Sequence, residues 1–81
     1  MLVTVRLFAV LRDVAGSEEC TIALAPGAQA LEAKAVLLER YPRLQGLLAS
    51  TRVARNAEYQ PWDVELADGD ELCIIPPVSG G

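Results

Sequence analysis

The segment from Glu71 to Ile75 constrains the fold more than any other part of this sequence. It reads Glu-Leu-Cys-Ile-Ile, so apolar side chains stand at consecutive positions and point to both faces of a strand. A strand that is apolar on both faces is typical of the interior of a sheet. The turn sequence Asp68-Gly69-Asp70 precedes this segment. We therefore expect a central strand here.

Four other segments are predicted to be strands. Residues 2–8 alternate between apolar and polar side chains, and the alternation resumes over residues 20–24 after an interruption. These two strands are expected to pair in antiparallel fashion, and the second should end at the Pro-Gly turn at positions 26–27. Residues 52–56 and 58–60 are short and strand-like, which predicts a small hairpin.

One helix is predicted, over residues 29–41. Its apolar positions recur at steps of four, three and three along one stripe: Leu31, Ala35, Leu38 and Tyr41. No Ser, Thr, Asp or Asn stands at its start as an N-cap. Pro42 should end the helix, because the residue before a proline is pushed out of the α region.

The order of these elements is ββαβββ, which describes a single sheet with a helix packed across it. Placing the last strand beside the first and parallel to it, at the centre of the sheet, explains why the last strand is apolar on both faces. This arrangement is the ubiquitin-like β-grasp, an α+β fold with a mixed sheet and one main helix. We predict it for residues 1–76, with residues 77–81 as an extended C-terminal tail.

Composition argues against several functions. The chain has 81 residues, enough for one domain, and its formal net charge of −4 without a basic cluster argues against nucleic-acid binding. It has no histidine, and Cys20 and Cys73 are far apart, so no metal site or Cys/His nucleophile pair is expected. Both cysteines are predicted to be buried free thiols. We find no apolar run long enough to span a bilayer and no secretory signal, and therefore expect a cytoplasmic protein without a membrane partner.

The sequence after the last strand reads Pro-Pro-Val-Ser-Gly-Gly. The prolines cannot donate to a sheet ladder and favour an extended path, so this tail should leave the sheet. Because glycine has no side chain, Gly80 and Gly81 would let the terminal carboxylate pass through a narrow channel in another protein and attack the α-phosphate of ATP there. A frayed terminus is the plain alternative, but the proline spacer, the diglycine and the β-grasp pattern together favour a presented C-terminus.

Three stretches match known motifs. Residues 7–16 read Leu-Phe-Ala-Val-Leu-Arg-Asp-Val-Ala-Gly, and the turn at residues 68–71 is followed by Ile-Pro-Pro-Val-Ser-Gly-Gly at residues 75–81. A weaker signal is Asn56 within Arg-Asn-Ala-Glu-Tyr. Together these stretches resemble the MoaD family, the small sulfur carrier subunits of molybdopterin synthase. The sequence departs from that family at residues 29–31, where a Thr-containing helix start is usual, and at residues 74–75, where aromatic residues are frequent.

The resemblance implies a sulfur carrier of molybdenum cofactor biosynthesis. Gly81 would be adenylated by an ATP-dependent activating enzyme, converted to a thiocarboxylate by a sulfur donor protein, and would give its sulfur to cyclic pyranopterin monophosphate. The residues that insert into the large synthase subunit would be Pro77, Val78, Ser79 and Gly80. A heterotetramer of two small and two large subunits is the implied assembly. Catalytic residues are expected in the large subunit, and this chain would bind no cofactor, since ATP is used by the activating enzyme.

Four side chains are candidates for partner contacts: Phe8, Arg12, Tyr59 and Ile75. Phe8 lies opposite the apolar set of the first strand, which favours the surface, and aromatic residues and arginine are enriched at interfaces. Arg12 could pair with an acidic group of the activating enzyme, or could simply be solvated.

Two other functions stay open at this point. The same tail would serve a sulfur carrier for thiamine thiazole or another sulfur-transfer pathway. It would also serve a ubiquitin-like modifier or binding module, whose C-terminus joins a lysine or does no chemistry.

Overall fold

The structure, a computed structural model, describes residues 1–77, and its sheet confirms the predicted β-grasp. Within that range five strands form one sheet in the order β2-β1-β5-β3-β4. They are β1 (Leu2–Leu7), β2 (Glu19–Ala23), β3 (Arg52–Arg55), β4 (Glu58–Gln60) and β5 (Glu71–Ile75). Strand β5 runs parallel to β1 and antiparallel to β3, so the sheet is mixed and its last strand is central, as its apolar sequence predicts. Of the predicted tail, positions 78–81 lie outside the described residues.

The core lies between one face of this sheet and the main helix, α2 (Ala30–Arg40). Alternate residues of β1 and β5 point into it, among them Val3, Val5, Leu72 and Ile74, each 0% exposed. From α2 the core receives Leu37, also 0% exposed. Full burial of one such leucine stabilises the folded chain by roughly 1.5–3 kcal/mol.

The predicted apolar stripe of α2 is wrong at Leu31 and Ala35, which are exposed, and correct at Leu38 and Tyr41, which are partly buried against the core. Leu31 is 47% exposed, and the helix instead buries Ala30, Ala33 and Leu37. Both sets recur at helical spacing, so periodicity alone did not separate them. Which stripe is buried is decided by how the helix docks on the sheet.

Contacts with the chain that precedes β5 support the start of α2. The backbone N–H of Ala30 donates to the carbonyl of Val64, and that of Leu31 donates to the carbonyl of Trp62, both at 3.0 Å. The Glu32 carboxylate accepts a hydrogen bond from the backbone N–H of Gln29 at 2.6 Å. These bonds satisfy donors that a helix start leaves open, which explains how α2 begins without an N-cap of the usual type.

The interruption between β1 and β2 holds a second, short helix, α1 (Val10–Ala15), which the sequence pattern did not predict. It has 6 residues and one fully buried side chain, Leu11, so it is too short to show a helical period. Gly16 ends it in the left-handed conformation, with φ of 72°.

The turn that leads into α1 is strained at Ala9. Its φ of 52° and ψ of −126° lie in a region that residues with a Cβ rarely adopt. The backbone N–H of Leu11 donates to the carbonyl of Phe8 at 3.1 Å and closes this turn.

We expect Ala9→Gly to raise the free energy of unfolding by about 1 kcal/mol, because glycine adopts this conformation without a Cβ clash. For a domain of this size the midpoint of thermal unfolding should rise by about 4–8 °C. Ala35→Gly, at an exposed position inside α2, is the matched control and should lower the midpoint. A lower midpoint for Ala9→Gly would contradict the assignment of strain.

Candidate functional site

The sheet face turned away from α2 carries an apolar surface. Because side chains alternate along a strand, Cys73 and Ile75 of β5 point away from the core. Cys73 pairs in register with Ala54 of β3, and Ala54 pairs with Tyr59 of β4. Neighbouring strands therefore place these side chains next to one another across the sheet.

These side chains border a groove of about 620 Å³, here called the apolar groove. It is lined by Phe8, Ala9, Ala54, Ala57, Tyr59, Cys73, Ile75, Pro76 and Pro77. Tyr59 is 61% exposed and Phe8 is 41% exposed, which is high for large aromatic residues. An exposed patch of aromatic and aliphatic side chains is typical of a surface that binds another protein. The groove reaches Pro77, the last described residue, so it leads directly to the predicted tail.

The structure brings together three of the four predicted contact residues. Phe8, Tyr59 and Ile75 line the apolar groove. Arg12 lies beside it, in a smaller cleft that also contains Phe8 and Glu18. The Arg12 Nε atom is 3.6 Å from Asp13 Oδ1, and the Arg12 side chain is 51% exposed. An arginine in this position can reach an acidic group on a partner that fills the groove.

Toward β2 the same face of the sheet becomes polar. Arg6 of β1 lies between two carboxylates, with its Nε 3.0 Å from Glu71 Oε2 and its Nη2 3.5 Å from Glu19 Oε2. These side chains are about half exposed, so each ion pair contributes only about 0–1 kcal/mol. Their effect is to limit the apolar groove to the side of the face formed by β5, β3 and β4.

A polar network holds the hairpin that carries Tyr59. Asn56 adopts a left-handed φ of 48° between β3 and β4. Its Nδ2 donates to Asp70 Oδ1 at 3.1 Å, while its Oδ1 accepts from the backbone N–H of Glu71 at 3.0 Å. Asp70, which is only 9% exposed, also accepts from the backbone N–H of Ala67 at 2.8 Å. The network ties the hairpin to the turn before β5, which gives Asn56 a structural role in the motif noted above.

Sequence reasoning missed Cys73 as a groove residue and expected both thiols to be buried. Cys20 and Cys73 are free and half-buried. Burial raises the pKa of the Cys73 thiol from its ordinary value of 9.0, the Glu71 carboxylate adds to this, and the Arg6 guanidinium opposes it. The alternation of residues 71–75 on a sheet with one covered face was the signal that could have placed Cys73 in the groove.

The rate at which Cys73 is alkylated should therefore report on the apolar groove. Because its pKa is raised, Cys73 holds a smaller thiolate fraction at pH 8 than an ordinary thiol, so we expect slow reaction with iodoacetamide there and faster reaction as the pH rises above the ordinary thiol value. The raised pKa also makes the free energy of unfolding depend on pH. The stability that the neutral Cys73 thiol contributes is fully present below the ordinary thiol pKa and is lost as the pH rises through the raised pKa.

A bound partner should protect Cys73 from this reaction. Cys20 is the internal control, because it pairs in register with Val5, whose side chain points into the core. We expect partner binding to slow alkylation of Cys73 and to leave that of Cys20 unchanged, as read by mass spectrometry of digests. Equal protection of both thiols would contradict a partner on the apolar groove.

Residues 1–77 contain no group of three or more His, Cys, Asp and Glu side chains placed to hold a metal ion. No helix described in that range is both long enough and apolar enough to cross a bilayer.

Comparisons with known proteins agree with the β-grasp fold of this chain. The family model described as the ThiS family matches residues 5–81. A molybdopterin synthase sulfur carrier subunit from Chlamydomonas reinhardtii is 42% identical over 83 residues, and the alignment covers 100% of both chains. The crystal structure of SAMP1 from Haloferax volcanii matches with a TM-score of 0.92 and 31% identity over 100% of both chains. A complex of subunits 1 and 2 of the molybdopterin-converting factor from Helicobacter pylori contains a chain that matches with a TM-score of 0.74 and 29% identity, again over 100% of both chains.

Proposed function

Because this chain belongs to the ThiS family, we propose that it is the sulfur carrier subunit of molybdopterin synthase and acts through its Gly81 carboxylate. The full-length identity of 42% to a sulfur carrier subunit is the observation that carries the proposal. The apolar groove supports it, because a carrier of this kind must dock on other proteins.

The chemistry begins with activation of Gly81. A carboxylate oxygen attacks the α-phosphorus of ATP in an activating enzyme, and pyrophosphate leaves. The outer sulfur of a persulfide on a sulfur donor protein then attacks the carbonyl carbon, and AMP leaves. A thiol attacks the donor's inner sulfur, the S–S bond of the acyl disulfide breaks, and the thiocarboxylate is released while a disulfide forms on the donor. The thiocarboxylate gives its sulfur to cyclic pyranopterin monophosphate in the large synthase subunit. This chain supplies the acyl group and its presentation, and it needs no cofactor of its own.

Docking of the large subunit would use the apolar groove and deliver the tail in the same step. Phe8 and Tyr59 offer exposed aromatic surface, and Pro76 and Pro77 connect that surface to Val78, Ser79, Gly80 and Gly81. A partner that covers the groove therefore meets the start of the tail directly. Arg12 at the border can pair with an acidic side chain of the partner. Two carriers and two large subunits make up the proposed heterotetramer.

The decisive experiment combines the chain with the activating enzyme, ATP and a sulfur source. Intact mass should show replacement of one oxygen by sulfur, located at Gly81 by fragmentation. Addition of the large subunit and cyclic pyranopterin monophosphate should then produce molybdopterin. An unchanged mass with an activating enzyme that modifies another carrier in parallel would contradict the proposal.

The likeness to SAMP1, with a TM-score of 0.92, favours a ubiquitin-like modifier as the second candidate. That function predicts isopeptide bonds between Gly81 and lysines of other proteins in cells. A carrier for thiamine thiazole or another sulfur pathway would share the thiocarboxylate. Rescue of molybdoenzyme activity in a strain that lacks its own carrier separates the synthase subunit from both.

A further inference from the structure

We infer that Trp62 and Lys34 act together to direct the activated Gly81 toward sulfur and away from the amines of this protein itself. The inference rests on the proposed function, because it concerns the adenylated C-terminus. Trp62 does not touch the reacting atoms. It is a positioning residue that acts by holding the Lys34 ammonium.

An acyl adenylate reacts with amines as well as with sulfur. If Lys34 of a second copy attacked the Gly81 carbonyl carbon, a C–N bond would form, the bond from that carbon to the AMP oxygen would break, and the amine proton would pass to solvent. The product is an amide-linked pair of chains that has lost its transferable acyl group. Two carrier molecules that meet while one of them is adenylated are exposed to this side reaction.

The composition of the chain limits the side reaction. Lys34 is the one lysine in the sequence, and the other basic residues are arginines. Arginine stays protonated in proteins and is not an acyl acceptor under these conditions. The α-amino group of Met1 donates a hydrogen bond to the carbonyl of Leu24 at 2.8 Å and is partly buried. Lys34 is therefore the side-chain amine to protect.

Trp62 covers this amine. The Lys34 Nζ atom lies over the Trp62 ring, 4.9 Å from its centroid. A cation over an aromatic face is attracted by the ring quadrupole, and at a partly exposed site this attraction reduces the free population by about two- to fivefold.

The Trp62 ring is fixed in place relative to α2. Its Nε1 donates to the carbonyl of Thr51 at 3.3 Å, and its own carbonyl accepts from the backbone N–H of Leu31 at 3.0 Å. The side chain also packs against the core. Leu31 and Lys34 are one helical turn apart, so the contact that fixes Trp62 lies directly beside the side chain that it covers.

The position of α2 adds a second barrier. The helix packs on the core face of the sheet, whereas the apolar groove and Pro77 lie on the opposite face. Lys34 is therefore kept on the side of the sheet away from the surface that would dock on a partner.

The test compares two lysines in one molecule. Arg43→Lys supplies an exposed reference amine, because Arg43 is exposed and takes part in no side-chain hydrogen bond or ion pair described within residues 1–77. The folded Arg43→Lys protein is treated with the N-hydroxysuccinimide ester of acetylglycine, a surrogate for an activated glycine. Cleavage after Glu32, Glu39 and Glu58 places the two lysines on separate peptides, so mass spectrometry gives both acylation rates.

Lys34 should be acylated about two- to fivefold more slowly than position 43. Adding Trp62→Leu to the Arg43→Lys protein should remove the difference, whereas Trp62→Phe should keep much of it because it retains an aromatic face. The acylation rate at position 43 within each protein controls for a general increase in exposure of the domain. Thermal melts check that each variant is folded. Equal rates in the Arg43→Lys protein, or an unchanged ratio with Trp62→Leu, would overturn the inference. The assay contains neither ATP nor a partner, so its failure is distinct from failure of Gly81 thiocarboxylation, which intact mass reads separately.

Discussion

Deletion of Gly81 is expected to abolish sulfur transfer while leaving the domain folded. The proposed chemistry takes place at the carbonyl carbon of this residue, and a chain that ends at Gly80 would hold its carboxylate one residue short of the activating nucleotide. One residue of extended chain spans about 3.3 Å, well beyond the tolerance of a near-attack geometry. The core is formed by residues between Val3 and Ile74, so the midpoint of thermal unfolding should be unchanged. Intact mass after incubation with the activating enzyme and ATP measures the first effect, and calorimetry the second.

Gly81→Ala is the matched control for this deletion. It keeps the length of the tail and its carboxylate but adds a Cβ, so it should reduce the rate of thiocarboxylation without removing it if the channel in the partner is narrow. Sulfur transfer by the shortened chain at the original rate would refute the role given to Gly81. Unfolding of the shortened chain would refute the separation of tail and domain.

Ile75→Asp is expected to weaken binding to the large subunit by about 100-fold or more. The substitution places a carboxylate inside the apolar groove, where a docked partner would remove its water and pack apolar groups against it. In the free chain the carboxylate faces solvent and stands opposite Arg52, its partner in the β3–β5 register, so the domain should remain folded. Titration calorimetry measures the loss of affinity, and a thermal melt checks the fold.

Leu31→Asp controls for the added charge. Leu31 is 47% exposed and lies on α2, across the sheet from the groove, so the same change there should leave affinity within about twofold. Tyr59→Ala removes the most exposed aromatic side chain without touching the core and should weaken binding by at least about tenfold. Equal losses for Ile75→Asp and Leu31→Asp would show that charge rather than the groove is responsible.

The strands and their order were largely predictable. Alternation over residues 2–8 predicts a strand with one buried face, and consecutive apolar residues over 72–75 predict the central strand, because strand side chains have a period of two. The structure confirms both, with β5 between β1 and β3. The pattern predicted burial on both faces of β5, but the face that carries Cys73 and Ile75 is only half-buried.

Helix details depended on contacts between distant segments. Backbone hydrogen bonds to Val64 and Trp62 hold the start of α2. These partners are more than 30 positions away in the chain, so no local sequence motif predicts the bonds. The fully buried residues of α2 are Ala30, Ala33 and Leu37, and which stripe of the helix meets the sheet is decided by how the helix docks on the core. The short helix α1 was missed because 6 residues do not show a period.

The sequence by itself determined the fold class, because periodicity and turn residues are local properties, and it singled out Phe8, Tyr59 and Ile75 one at a time. Only the tertiary structure decided that these three residues meet in one groove and that Trp62 covers Lys34. The reason is physical: strand register and helix docking bring together positions far apart in the chain, and those pairings are fixed by the packing of the whole domain rather than by any segment alone.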